Sequence, residues 1–188
     1  RGALQAAAET LGVTNMTSIQ YSGTGWLGGV GQNFAPDQDW PRFELASYTR
    51  TIDFGSNSSK EEMVIRQGDY LARGGGAPVQ GERRRTLLVS GTRAWNMEGD
   101  TVVPMPAAAE QRMLEILLTP HGFLKGAMAS NVTAVTRNEY GGRVTVVSFM
   151  ALGRFRVNGT ITDQNVVERV QTWLPNSVVG DMYYETVY

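Results

Sequence analysis

The sequence predicts an α+β fold in which a curved antiparallel sheet wraps around a kinked central helix. Three observations carry this expectation. Apolar and polar residues alternate in about nine short segments separated by glycine- and proline-rich turns. Helical spacing is confined to a short N-terminal stretch and to residues 104–129. Strands lie on both sides of that region without the strand–helix–strand rhythm of a parallel sheet, so one sheet must curl around the helix. A length of 188 residues fits a single domain, 1–188, and lets a chain build a core without a covalent staple.

Residues 2–11 are alanine-rich, as a short helix requires, and Gly12 is a fitting stop. Strand-like alternation begins at Ile19 and Tyr21 and runs into a long loop containing glycines 23, 25, 28, 29 and 31 and the run from Phe34 to Pro41. Between Arg42 and Phe54 the apolar phase switches: Phe43 and Leu45 are odd-numbered, whereas Tyr48, Ile52 and Phe54 are even. A switch of phase inside one strand predicts a bulge or sharp bend. Residues 61–67 and 83–90 form two further strands, separated by the loop 73–78.

Pro106 suits a first helical turn, and Met113, Leu114, Leu117 and Leu118 recur at helical spacing. Pro120 removes a mid-helix hydrogen bond, so Thr119 is expected to cap a second helical piece carrying Phe123, Leu124, Ala127 and Met128. The C-terminal third reads as a strand meander: 132–137 and 143–152 around a turn at 138–142, then 155–161, a turn at 162–165, and 166–174. Residues 182–188 read as strand to the last position, and the chain starts at Arg1 without methionine; both features lead to the expectation of a piece of something longer.

Composition removes several chemistries. No cysteine means no disulfide, thiolate metal site or cysteine nucleophile, and a single histidine, His121, cannot build a multi-histidine metal site. The expectation is a chain with no catalytic residue, no metal and no cofactor. Basic and acidic residues number 17 and 18, which leaves no field for nucleic acid. Arg83-Arg84-Arg85 reads as a solvated strand edge. No stretch approaches the roughly 18 apolar residues of a membrane helix.

Gly23-Thr-Gly25-Trp-Leu-Gly28 matches the dinucleotide-binding G-x-G-x-x-G, but residues 29–36 are a poor helix opening and no parallel crossover appears, so it reads as a flexible glycine loop. His121, at the start of the second helical piece, would have a lowered pKa beside the helix dipole; with no carboxylate or hydroxyl partner evident it reads as a helix-junction residue. Asp37-Gln-Asp39 lacks the glycine and distal glutamate of a calcium loop. Sequons at Asn15, Asn57, Asn131 and Asn158 matter only on a eukaryotic secretory route. Trp26 and Trp40 lie in or beside Gly/Pro loops, where an aromatic is either a lid over the core, the favoured reading, or a wall of an apolar ligand pocket. With Trp95, His121, Phe123, Tyr184 and Tyr188 they form the set of candidate ligand or partner contacts.

Several runs taken together, Tyr21–Trp26, Trp40–Phe43 with Ser47–Arg50, Glu61–Val64 leading to Gln67-Gly68, Leu118–Lys125, and Asp163–Asn165 followed by Val170–Pro175, resemble the N-terminal, non-catalytic region that precedes the metallo-β-lactamase-fold domain in exported bacterial hydrolases. The resemblance implies a half-barrel of the lipoprotein-carrier kind, a periplasmic or secreted location, and hence a signal peptide on the precursor. That family's zinc motif, H-x-H-x-D-H, is not present in this sequence, so none of its metal ligands carries over to a residue here.

The functional expectation is a binding or accessory module meeting an apolar ligand or a partner protein. One alternative is the substrate-access domain of a zinc-dependent hydrolase, with the hydrolase domain as its neighbour. Another is a structural subunit of an exported assembly, its tyrosine-rich final strand open to edge pairing.

Overall fold

The computed structural model describes residues 2–69, 79–139, 142–176, 178 and 180–188. The loop expected over 73–78 and the centre of the turn expected over 138–142 lie outside the described residues. The fold is α+β, and among the described residues every strand pairing is antiparallel, as the alternation predicts; in place of the single curled sheet expected, the strands form two sheets that are not closed into barrels. Two compact units result, one of residues 18–109 and one of residues 1–17 with 110–188.

The unit of residues 18–109 is a six-stranded meander: β1 (Ser18–Gly28), β2 (Arg42–Asp53), β3 (Ser58–Arg66), β4 (Arg83–Ser90), β5 (Arg93–Glu98) and β6 (Thr101–Pro104), hydrogen-bonded in that order. The predicted phase switch is a bulge. Gly23 pairs with Tyr48 but Gly25 with Leu45, and on the far side Leu45 pairs with Ile65 but Ser47 with Val64. In both ladders β2 carries one residue more than its neighbour, and Ala46 lies at that point, so the buried side passes from odd to even residues. Strands β5 and β6 add two to the number expected; they are short and turn on Gly91 and Gly99, both in the left-handed region at φ 54° and 60°. Arg83–Arg85 pair with β3 but extend past the end of β5, so their other side is a local edge.

The other unit holds α1 (Ala3–Thr10), α2 (Ala109–Leu117, whose first residue belongs to the sheet unit) and α3 (Pro120–Met128), with β7 (Thr133–Glu139), β8 (Gly142–Ala151), β9 (Phe155–Thr162), β10 (Val167–Asn176) and β11 (Gly180–Val187) in the sheet order β11-β10-β9-β8-β7. α1 stops where Gly12 turns at φ 64°. The kink forms as Pro120 requires: Thr119 caps α3, its Oγ1 accepting from the Gly122 amide at 3.1 Å and donating to the Ile116 carbonyl at 2.7 Å. The Gly122 amide is thereby diverted from the Leu118 carbonyl, which instead accepts from Thr186 Oγ1 at 2.8 Å and Tyr188 Oη at 2.6 Å, tying the end of β11 to the kink.

The core of this unit is the α3–sheet interface. Phe123, Leu124, Val157, Ile161 and Val170 are fully buried there with Ala7, Ala8 and Val13. Phe123 lies against Gly159 so closely that a Cβ at 159 would stand 2.1 Å from its ring. Phe123 and Phe149 rings are 5.8 Å apart in a tilted pair. The sheet face under α3 is filled by protein.

Candidate functional site

The register of β1 and β2 builds the site. Trp26 pairs with Glu44 and Gly28 with Arg42, which puts these four on one face, opposite to Phe43 and Leu45. The Arg42 guanidinium sits 4.4 Å over the Trp26 ring, a cation–π contact. The loop between the strands is closed at its neck by the Gly29 amide donating to the Pro41 carbonyl at 2.8 Å, which brings Trp40 back beside β1. Gly28 lies beneath both indoles: a Cβ there would be 3.5 Å from the Trp26 ring and 3.7 Å from that of Trp40. Gly68, at φ 69°, packs its backbone against Arg42 and Glu44 and presents Asp69 at the other wall.

Between these walls lies an open cleft of about 600 Å³, lined by Gly25, Trp26, Asp39, Trp40, Arg42, Phe43, Glu44, Gly68 and Asp69. A smaller hollow of about 270 Å³ shares Trp26, Asp39, Trp40 and Arg42 and adds Gln38. The two indoles are 58% and 49% exposed, unusually open for the largest apolar side chains. Glu44 is 3.6 Å from Arg66, which also pairs with Glu82 at 2.6 Å; that bond holds the Glu82 carboxyl below its ordinary range. Asp39 and Asp69 have neither an ion-pair nor a hydrogen-bond partner among the described residues. The lining therefore combines two aromatic platforms, one stacked guanidinium and three carboxylates. Such a set can bind a ligand and orient its charges.

The structure brings Trp26 and Trp40 together; Trp95 lies on another strand of the same unit, and the remaining sequence candidates belong to the other unit. Trp95, on β5, pairs with Leu88 and Pro104. His121 is half-buried in the first turn of α3, and burial holds its imidazole below the ordinary value. Phe123 is 0% exposed and is a core residue closed to any partner. Tyr184 packs against the same core, and Tyr188 spends its hydroxyl on Leu118. Strand β11 does form a sheet edge. Asp39 belongs to the cleft, and among the described residues no group of three or more acidic or histidine side chains could hold a metal.

Arg42, Glu44 and Asp69 were not marked by sequence reasoning. For Arg42 and Glu44 a signal exists: they alternate out of phase with Phe43 and Leu45, the buried side of β2, and so face the same way as Trp26. Asp69 carries none, because only folding brings Gly68 to Arg42. On the other face, burial and the Glu61 carboxylate push the Tyr48 phenol well above its ordinary value, so it stays protonated and cannot serve as a base near neutral pH. No family model, no curated protein and no solved structure matches the chain.

Proposed function

We propose that this chain is a non-catalytic binding module of an exported bacterial protein and that it meets a partner protein through the Trp26–Trp40 cleft. One observation carries the reading: two half-exposed tryptophans and an arginine, the residue types that dominate binding energy at protein interfaces, converge on one open cleft. An exposed indole leaves apolar area in water that a partner would remove, at roughly 25 cal/mol per Å². The charged lining favours a polypeptide over a purely apolar small molecule, and the filled space under α3 favours it again. The periplasmic or secreted location, half-barrel curvature and a downstream hydrolase domain as a neighbour belong to the same proposal and rest on the sequence resemblance.

Selection from a displayed random-peptide library tests the reading. The wild-type chain is expected to enrich a consensus that a Trp26→Ala, Trp40→Ala chain does not retain. A consensus indifferent to both substitutions, or none at all, removes the cleft as the recognition surface.

A further inference from the structure

The cleft's charges select among polypeptides. Its lining sets Asp39, Glu44 and Asp69 against Arg42 alone, and Arg42 is already committed to the Trp26 ring at 4.4 Å. Glu44 shares Arg66 with Glu82, whereas Asp39 and Asp69 are exposed and have no partner among the described residues. An anionic group entering here would meet like charge from both walls, and a neutral apolar one would leave both carboxylates unanswered. A cationic group would meet opposite charge on two sides and an indole, Trp40, whose face attracts cations. The Arg42–Trp26 stack is an intramolecular example of that contact in the same cleft.

We infer that the cleft takes a basic polypeptide segment, docking a lysine or arginine side chain against Trp40 between Asp39 and Asp69. The inference rests on the reading of the cleft as the recognition surface and specifies the partner's chemistry. Arginine is the better fit, since its planar guanidinium can stack on an indole and bond a carboxylate with the same group.

Fluorescence anisotropy with labelled hexa-arginine, hexaglutamine and hexaglutamate peptides tests it. Hexa-arginine is expected to bind the wild-type chain, and the other two to bind at least tenfold more weakly. Asp39→Asn with Asp69→Asn, which keeps side-chain shape at two exposed positions, is expected to weaken hexa-arginine binding about tenfold, or about 1.4 kcal/mol. Raising the salt concentration should narrow the difference between wild type and this variant. Asp181→Asn, an exposed carboxylate on β11, should leave the affinity unchanged. The inference is overturned if hexa-arginine does not bind at millimolar concentration, if Asp181→Asn weakens it as much as the double substitution, or if hexaglutamine binds equally well. A neutral or anionic probe, a neutral oligosaccharide included, that binds the wild type but not Trp40→Ala overturns the cationic partner and leaves the recognition surface standing. Loss of every Trp40-dependent signal, in this assay and in the library selection, removes both.

Discussion

Glycines do opposite work in the two units. At Gly159 on β9 the missing side chain is replaced by the ring of Phe123, and the two elements close into a core. At Gly28 on β1 the missing side chain lets two indoles approach the strand, and the space beyond the rings stays open as the cleft. The same substitution of hydrogen for a side chain thus adds stability in one unit and a surface for recognition in the other. Apolar area withdrawn from water stabilises the fold, and apolar area left in water remains available to a partner.

The sharpest way to break this contrast is to remove Phe123. Phe123→Ala should destabilise the chain by about 3–5 kcal/mol in urea unfolding, the range for deleting a buried aromatic ring. Amide exchange should speed first in β8, β9, β10 and α3; equal loss of protection across β1 to β6 would mean that Phe123 does not stabilise its own unit in particular. Adding a methyl group probes the same interface from the other side. Gly159→Ala places a Cβ 2.1 Å from the ring; at the α2–α3 junction instead, Gly122→Ala places one 1.9 Å from the Ile116 carbonyl. Each should cost about 1–3 kcal/mol by overpacking, with the Gly159 defect partly relieved by adding Phe123→Leu.

Trp40→Ala is the matching test in the cleft unit. About half of this indole is already exposed, so its loss should cost only about 1–2 kcal/mol while abolishing peptide binding. A loss as large as that of Phe123→Ala would make Trp40 a core lid and dissolve the contrast. Thr119→Ala comes next, at about 1 kcal/mol for a lost helix cap. The Gly122 amide loses its Thr119 acceptor there, so faster exchange at Gly122 is the local readout.

What the sequence made legible was local. Thr119, Pro120 and Gly12 act on neighbours within a turn, so the cap, kink and helix stop could be placed to the residue. The Ala46 bulge left its mark as a change of parity along β2. The short strands β5 and β6 left a weaker one, glycines at 91 and 99, because four to six residues hold too few alternations to stand out. Trp26 and Trp40 were legible as loop aromatics, lids or pocket walls, but neither as open nor as a pair, since their exposure and their meeting depend on the β1–β2 register and the loop neck at Gly29. The fit of Phe123 on Gly159 spans 36 positions, and no periodicity relates a helix residue to the strand glycine beneath it. Tyr188 is legible only in part for the same reason: its exposed ring follows from its terminal place, but the bond of its hydroxyl to the kink carbonyl 70 residues away does not.

The smallest expected effect concerns His121. Burial lowers its folded-state pKa below the ordinary 6.5, so the folded chain prefers the neutral imidazole. Above pH 6.5 both folded and unfolded chains carry it neutral, and its contribution to stability is fully present. As pH falls through 6.5 the unfolded chain takes up the proton first, and stability declines until the folded-state value is passed, below which the loss is complete. The ring is only half-buried, so solvent screens much of the difference and the decline should be modest. Urea midpoints between pH 8 and pH 5 should fall less for His121→Gln than for the wild type. Carboxylates elsewhere contribute equally to both chains, so the difference between the two profiles isolates the imidazole. Parallel profiles would mean that the fold places no penalty on a charged His121, and the junction would then be as wet as the cleft.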